Sequence, residues 1–210
     1  MLTLALATSN EGKLAELRAL LSDLPIEVVG MAQVLGPSFA VSETGQTFEE
    51  NAALKARAVC EASGLVAIGD DSGLEVDALG GRPGVRSRRF AHERATDAEN
   101  NAALLRELTE VEARDARFRC VLALATPLSR ELRTVEGVCH GSILRAPRGS
   151  GGFGYDPLFV LADSDGRALA ELSEAEKNAV SHRGRAVRAL RPLLLELLNE
   201  LLDGAERVAG

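Results

Sequence analysis

Two adjacent carboxylates, Asp70 and Asp71, follow an apolar run in the segment AIGDDSGLEV. Ligands commonly bind where the strands of an open α/β sheet end, and neighbouring carboxylates repel each other unless they share a cation or a proton. Oxygen ligands suit Mg²⁺, which proteins bind through one or two carboxylates together with substrate phosphates. A turn closed by an aspartate side chain needs only one of the two, so the pair indicates a metal site at least as strongly as a turn. Glu43, in the segment SETG, is a candidate third carboxylate.

A lysine follows the first apolar run of the chain, in the segment ATSNEGKL. The pattern predicts a strand over Leu2–Ala7 and then a helix, with Lys13 in its first turn. Free backbone N–H groups and the positive end of the helix dipole favour an anion there, and the side chains of residues 8–10 add donors. The segment is not a Walker A loop, because Leu14 stands where Ser or Thr would contact magnesium. Taken alone, it is explained more simply as a capped helix with a solvated lysine.

The segment GSGGFGYDP matches the G-x-G-x-x-G pattern by letter, but it does not fit a dinucleotide-binding loop. Such a loop follows a strand and opens a helix, whereas this segment is preceded by Pro147 and ends in Asp156 and Pro157. What remains is a flexible backbone beside Phe153 and Tyr155. In a chain with 3% aromatic residues, these two rings either stack on a base or anchor the loop.

Lys177, His182 and Arg183 bring three basic groups together in the segment EKNAVSHRG, ahead of the last predicted helix. An arginine there could donate hydrogen bonds to a base carbonyl or to a phosphate. In isolation, the more ordinary interpretation of a solvated basic helix start is favoured. The arginines of the segment GGRPGVRSRRF are ambiguous in the same way, since they could contact phosphates or lie in solvent.

The elements that would hold these residues alternate between strands and helices in the first half of the chain. This order predicts an α/β fold with a mixed central sheet flanked by helices. Asn10 can cap the first helix, Thr47 and Glu50 form a capping box at the second, and Asn51 and Lys55 lie one turn apart on its face. The predicted helices are Glu11–Ser22, Thr47–Ala62, Asp97–Glu110, a turn at Ser173–Asn178, and Gly184–Leu202 with a kink or restart at Pro192. The predicted strands are Leu2–Ala7, Ile26–Gly30, Leu65–Gly69, Leu74–Ala78, an antiparallel pair Arg117–Thr126 and Thr134–Ile143, and a short strand from Val160.

The chain has 210 residues, of which 46% are apolar and 26% charged, and its net charge is −7. This length fits one domain or two small lobes with a substantial core, and the acidic balance argues against a nucleic-acid-binding protein. Three widely spaced cysteines without a CxxC pair predict neither a disulfide framework nor a zinc site. Because the sequence has no signal-peptide pattern and no sufficiently long apolar stretch, we expect a cytoplasmic protein that binds no membrane.

Five segments, in order along nearly the whole chain, together resemble one family: the inosine triphosphate pyrophosphatases, or non-standard purine nucleoside triphosphate pyrophosphatases. The segments are LATSNEGKLAEL, ETGQTFEENAALKA, DDSGLEVDALGGRPGV, GGFGYDPLF and EKNAVSHRG. Each is weak alone, whereas five in order are very specific. The resemblance implies a single domain over residues 1–210, with two lobes and a substrate cleft between them, usually in a homodimer. It also implies hydrolysis of ITP, dITP or XTP to the monophosphate and pyrophosphate, with Mg²⁺ as cofactor.

The resemblance also implies roles for particular residues of this chain. Asp71 matches the family's catalytic, metal-binding aspartate, and the metal ligands would come from Asp71, Asp70 and Glu43. We expect Asp71 to orient or deprotonate the attacking water, and Arg183 or a backbone N–H to donate to the carbonyl at position 6 of the base. The expected substrate-binding residues are Thr8, Ser9, Asn10, Glu11, Gly12, Lys13, Lys55, Ser72, Phe153, Gly154, Tyr155, Asp156, Lys177, His182 and Arg183.

Two positions depart from the family's usual pattern. Ser42 stands where the first of two glutamates is common, and Arg86 stands where an aromatic residue is usual. The first departure leaves open which carboxylates hold the metal, and the second concerns local packing or the dimer contact. Two other functions stay open: a nucleotide-binding regulator without turnover, and a pyrophosphatase for modified pyrimidine or 7-methylguanine nucleotides on a related fold.

Overall fold

The computed structural model describes residues 1–127, 129, 131–162 and 164–209, with side chains as far as Asp203. Its strands are β1 (Leu2–Ala7), β2 (Ile26–Gly30), β3 (Val66–Val76), β4 (Asp115–Ala125), β5 (Leu132–Ile143) and β6 (Phe159–Leu161). Its α-helices are α1 (Glu11–Leu20), α2 (Met31–Leu35), α3 (Phe48–Ser63), α4 (Asp97–Glu107), α5 (Glu174–Val180) and α6 (His182–Ala209). Short 3-10 helices cover Asp77–Leu79, Gly84–Arg89, Asp156–Leu158 and Leu169–Glu171.

The strands form one mixed sheet in the order β2-β1-β3-β4-β5-β6. β1 pairs in parallel with β2 and β3, and the remaining neighbours pair in antiparallel fashion. The α/β fold with a mixed sheet is therefore confirmed, including the antiparallel β4–β5 pair. The division into two lobes stays a prediction.

The two faces of the sheet bury different kinds of side chain. On one face Leu4, Leu6 and Ile68 pack with leucines of α1 and α6. On the other face the small residues Ala5 and Ala7 pack against α3. Successive residues of a strand point to opposite faces, so the alternation in LTLALA places leucines toward α1 and α6 and alanines toward α3. A third apolar cluster, which includes Phe118 and Phe159, lies at the other end of β3 and β4.

The largest difference between the predicted and the observed elements concerns β3. This strand runs without interruption through Asp70 and Asp71. The sequence predicts two strands separated by a turn, but antiparallel pairing with β4 continues from Ala67 to Val76 and keeps the backbone extended. The parallel pairing with β1 stops at Gly69. The two aspartates therefore lie just past the end of β1, although they lie in the middle of β3.

The helix ends follow the predicted caps closely. The Asn10 side chain accepts a hydrogen bond from the Lys13 N–H, and Thr47 and Glu50 form the predicted capping box of α3. α6 begins two residues earlier than predicted, and Pro192 lies inside one uninterrupted helix rather than at a restart. Within the described residues, none of the helices combines the length and the apolar character needed to span a bilayer.

Candidate active site

A cleft of about 370 Å³ lies where β1 ends beside β3. Its walls come from the β1–α1 junction, α3, β3, the 3-10 helix Gly84–Arg89, residues 149–156 (called the glycine loop below), and the start of α6. Most of the predicted site residues line this cleft, although they are spread over the whole chain. The exceptions are Glu11, Gly12 and Asp70, which do not line it.

The β1–α1 junction forms one wall of the cleft through Thr8, Ser9 and Asn10. Thr8 Oγ1 accepts a hydrogen bond from the Asn10 N–H (3.1 Å), and Asn10 caps α1. Ser9 is exposed and lines the cleft, whereas Glu11 faces solvent. At Gly12 a Cβ atom would lie 2.7 Å from the Phe153 ring, so a larger residue would push this ring away from α1.

Lys13 has a buried counter-ion. Its Nζ lies 2.7 Å from Asp70 Oδ1, and its side chain is still partly exposed to the cleft. The carboxylate offsets the unfavourable interaction of a lysine with the positive end of the α1 dipole. Two of its three N–H donors remain for a ligand, since an ammonium group carries three.

Asp70 belongs to the interior of the protein. It is 1% exposed, and its oxygens accept hydrogen bonds from Lys13 and from Arg183, whose Nε lies 2.7 Å from Oδ2. Burial alone would raise the pKa of this carboxyl, but Arg183 and Lys13 outweigh burial and hold the pKa well below its usual range. Asp70 is therefore an ionised structural group that fixes two cations.

Asp71 points to the opposite face of β3, toward α3. Its Oδ1 lies 2.8 Å from Lys55 Nζ, and its Oδ2 accepts a hydrogen bond from Asn51 Nδ2 at 3.3 Å. It lines the cleft. Burial raises the pKa of Asp71 above its usual value, although Lys55 and Lys13 act to lower it. A carboxylate with a raised pKa that faces a cleft is suited to accept a proton.

Lys55 also contacts Glu43, at 2.9 Å from Oε1. Arg89 approaches the other oxygen of Glu43 at 3.4 Å. Burial opposes the ionisation of Glu43, but Lys55, Lys13 and Arg89 outweigh it and lower its pKa. Glu43 thus stays ionised on the cleft wall next to Asp71.

Asp70 and Asp71 bond to different cations, because alternating strand residues face opposite sides of the sheet: Asp70 bonds to Lys13 and Arg183, and Asp71 bonds to Lys55. A metal ion bound by Asp70 stays a prediction. Among the described residues, no group of three or more His, Cys, Asp or Glu side chains is arranged to hold a metal ion. Asp71 and Glu43 are both within reach of one cation, Lys55 Nζ. This pair of oxygen donors fits Mg²⁺, which needs only one or two carboxylates when substrate phosphates and water complete its shell.

The glycine loop closes the cleft opposite α3. Phe153 lies against Gly12 and under two cations, with Lys177 Nζ 4.5 Å from the ring centroid. Tyr155 is buried, and its hydroxyl donates to the Ser87 carbonyl at 2.8 Å. Tyr155 is therefore the anchor of the loop, while Phe153 remains the candidate stacking surface. Asp156 holds the loop from inside by accepting hydrogen bonds from the Phe153 N–H and from Lys177.

The basic residues before and at the start of α6 are buried, not solvated. Lys177 bridges Asp156 and Glu16, each at 2.6 Å, and these carboxylates outweigh burial and raise its pKa. His182 stacks on the Phe118 ring at 4.7 Å. Burial and the neighbouring cations lower the pKa of His182 well below its usual value, so the ring is neutral. Its Nδ1 has no hydrogen-bond partner within the described part of the chain.

Arg183 is fully buried and joins three elements. It makes four hydrogen bonds: two to Asp70, one to Glu16 on α1 and one to Ser72 on β3. A guanidinium has five N–H donors, so one donor remains for a ligand. Burial disfavours the charge of Arg183, but its carboxylate partners outweigh burial and raise the pKa further.

Several site residues were missed by the sequence analysis. Glu16 is the shared partner of Lys177 and Arg183, and its position three residues after Lys13, on the same face of α1, was a usable signal. Asn51 was placed on the correct face of α3, but not paired with Asp71. Asp97 and Asn101, at the start of α4, contact the glycine loop, and no sequence pattern connects these distant segments.

These observations define an α/β protein with a cleft in which several cations and an accessible carboxylate lie beside an aromatic ring. The chain belongs to the Ham1 family, whose model matches residues 4–193. This finding confirms the resemblance inferred from the five segments.

Named relatives match over most of their length. The chain is 53% identical over 187 residues to the dITP/XTP pyrophosphatase of Gloeobacter violaceus, covering 89% of this chain and 91% of that protein. It is 50% identical over 202 residues to the dITP/XTP pyrophosphatase of Streptomyces coelicolor, covering 94% of this chain and 100% of that protein. Among solved structures, a HAM1 protein from Coxiella burnetii is similar with a TM-score of 0.82 and 44% identity, covering 93% of this chain and 100% of the other.

Proposed function

We propose that the protein hydrolyses non-standard purine nucleoside triphosphates (ITP, dITP and XTP) to the monophosphate and pyrophosphate, clearing them from the nucleotide pool. One observation carries the proposal: Asp71, with its raised pKa, lies within hydrogen-bonding distance of Lys55 in the same cleft as Lys13 and the Phe153 ring. The names of the relatives, dITP/XTP pyrophosphatase, support this substrate class.

The phosphate tail would bind at the β1–α1 junction. Ser9, Asn10 and Lys13 line the cleft there, and Lys55 adds a second cation. These groups stabilise charge that develops on the leaving pyrophosphate. Asp71 would orient the attacking water toward the α-phosphorus and take its proton.

Mg²⁺ is part of this proposal, with Asp71 and Glu43 as its protein ligands. When bound with the substrate phosphates, Mg²⁺ would neutralise their charge and polarise the phosphoanhydride. Asp70 is not included, because both of its oxygens already accept hydrogen bonds from Lys13 and Arg183.

The base would stack on Phe153, with its 6-position toward the start of α6. A donor there fits the carbonyl of hypoxanthine or xanthine and opposes the amino group of adenine, which would leave buried polar groups unpaired. Arg183 has one N–H available for this purpose, and neutral His182 offers a second polar group on the same wall.

The decisive experiment measures pyrophosphate release with Mg²⁺ from ITP, XTP, dUTP, GTP and ATP at equal concentration. We expect ITP and XTP to be turned over, with ATP strongly disfavoured. Binding of ITP without release of pyrophosphate would instead indicate a nucleotide-binding regulator, and preference for dUTP would indicate a different nucleotide class.

The proposal also includes a cytoplasmic location and a homodimeric state, both of which follow from the sequence analysis and the family resemblance. Sedimentation equilibrium of the purified chain tests the second point directly. A mass of one chain across micromolar concentrations would contradict the homodimer and leave the proposed chemistry untouched.

A further inference from the structure

α4 packs against the glycine loop and contacts one residue of it twice. The first residue of the helix, Asp97, also lines the cleft. The Gly154 N–H donates to Asp97 Oδ2 at 2.7 Å, and the Gly154 carbonyl accepts from Asn101 Nδ2 at 3.0 Å. Asp97 and Asn101 are four residues apart and therefore share one face of α4. Both main-chain polar groups of Gly154 are thus bonded to the same helix.

Gly154 is one of three glycines of the loop with a left-handed backbone, the others being Gly149 and Gly152. Its φ of +64° places it in the left-handed region, and a Cβ atom there would meet nothing within 4 Å among the described atoms. Its neighbours are held from other directions, Phe153 by Asp156 and Tyr155 by Ser87. The two hydrogen bonds from α4 fix the backbone between these anchored residues.

The same helix also contacts the end of the 3-10 helix Gly84–Arg89 and the segment that follows it. Asn100 accepts a hydrogen bond from the Ala91 N–H and donates to the Arg88 carbonyl, each at 2.9 Å. Arg88 and Gly154 both line the cleft. Three side chains of α4 therefore contact two segments that are distant in the chain, one at Arg88 and Ala91 and the other at Gly154. The Tyr155–Ser87 hydrogen bond joins the same two segments directly.

We propose that Asp97 and Asn101 are positioning residues, which hold the glycine loop so that Phe153 and its cations are ready to receive the base. The inference deepens the proposed function and rests on it for the identity of the base. It predicts a defect confined to the base side of the cleft, because neither residue bonds to Lys13, Lys55 or Asp71 within the described structure.

Asn101→Leu is the most informative variant. Asn101 Oδ1 is buried without a partner in the described part of the chain. Leucine removes this unsatisfied acceptor, which favours stability, but leaves the Gly154 carbonyl without its Asn101 donor, which opposes it. Because the two effects oppose each other, the variant should differ little from the wild type in stability. It also removes the hydrogen bond to Gly154, and we expect KM for ITP to rise about three- to tenfold with little change in kcat. A residue with a purely structural role would not give a higher KM together with unchanged stability.

Asp97→Ala tests the second contact, and Asp97→Asn provides the rescue. Loss of a hydrogen bond to a charged acceptor should raise KM for ITP about tenfold or more, whereas asparagine keeps an acceptor oxygen and should restore most of the affinity. Thr96→Ala is the matched control, since it removes the α4 cap and leaves both contacts to Gly154 in place. We expect it to lower stability without changing KM.

The chain provides its own probe of the loop, because Tyr155 is the single tyrosine and there is no tryptophan. Tyrosine fluorescence therefore reports on the residue next to Gly154. Quenching by acrylamide should increase in Asp97→Ala and Asn101→Leu, and should match the wild type in Thr96→Ala. Inhibition by inorganic tripolyphosphate, which occupies only the phosphate side, should keep its wild-type constant in all variants.

Wild-type KM and wild-type quenching in both Asp97→Ala and Asn101→Leu would overturn the inference. An equal loss of affinity for ITP and for tripolyphosphate would also overturn the inference, because the defect would then not be confined to the base side of the cleft. If the wild type releases no pyrophosphate from ITP, the proposed function fails. The positioning inference is then still decided by the quenching measurement and by calorimetric affinity for ITP.

Discussion

Asp70 and Asp71 are neighbours in the chain, yet each balances different charges on a different face of β3. Asp70 neutralises Lys13 and fully buried Arg183, whereas Asp71 faces the cleft and contacts Lys55. Two isosteric substitutions one residue apart should therefore impair different properties, stability in one case and turnover in the other. This contrast separates the structural carboxylate from the one that we assign to chemistry.

Asp70→Asn should destabilise the fold. Asparagine cannot balance the buried Arg183 charge, and breaking a buried ion pair from one side costs about 3–5 kcal/mol. Urea unfolding at pH 7.5 measures this change in the free energy of unfolding. Stability within about 0.5 kcal/mol of the wild type would show that the Arg183–Asp70 pair is not needed.

Asp71→Asn should fold normally and lose at least about a hundredfold in turnover of ITP, a loss comparable to the removal of one essential electrostatic group from an active site. Pyrophosphate release measures the turnover, and Asp77→Asn, an exposed aspartate just beyond β3, is the control. Near-normal turnover in Asp71→Asn would remove Asp71 from the mechanism.

His182 should make stability sensitive to mild acid. Its pKa is lowered in the folded state below the usual 6.5, so the unfolded chain binds the proton first and stability falls as pH drops below 6.5. The loss approaches about 1.4 kcal/mol per pH unit. Urea unfolding measures the free energy of unfolding at pH 7.5 and at pH 5.5. The difference between these two values should be smaller in His182→Gln than in the wild type, and His140→Gln, at an exposed histidine, is the control. An unchanged difference would contradict this assignment.

At the scale of elements, the sequence predicts most strands and caps because these depend on local patterns. Asn10, Thr47 and Glu50 illustrate this, since their capping bonds join residues three apart. The continuity of β3 was not predictable in the same way, because pairing with β4 overrides the local preference of Asp, Ser and Gly for turns. Glu16 illustrates the limit for the site, since its partner Arg183 lies 167 residues away.

The approach of α3 to the sheet gives a prediction at this scale. Gly69 packs directly on α3, and a Cβ atom there would overlap the Ala52 carbonyl oxygen. Gly69→Ala should displace α3 and cost about 1–3 kcal/mol or more, and it should also lower turnover because α3 carries Lys55 and Asn51. Urea unfolding and pyrophosphate release measure the two effects. Wild-type values in both would show that α3 moves freely away from β3.

At the scale of the whole molecule, the cleft is assembled from segments between Ala7 and Arg183. A nucleotide that contacts several of these segments at once should stabilise the folded protein. In Asp71→Asn, which prevents turnover, ITP at a hundred times its Kd should stabilise the protein by about 2.7 kcal/mol. Thermal unfolding with ITP or ATP at equal concentration measures the effect, and we expect a smaller shift with ATP. Equal shifts would contradict selection at the base.

The position of Arg183 near the end of the chain affects when Asp70 can be buried during synthesis. Asp70 is synthesised 113 residues before the arginine that balances it, which at the usual rates of translation is on the order of ten seconds. During that interval the growing chain holds the strand, the aspartate and the lysine of the cleft, but not the cation that makes their burial favourable. The sheet interior should therefore stay open to water on the ribosome and close only when the last helix arrives.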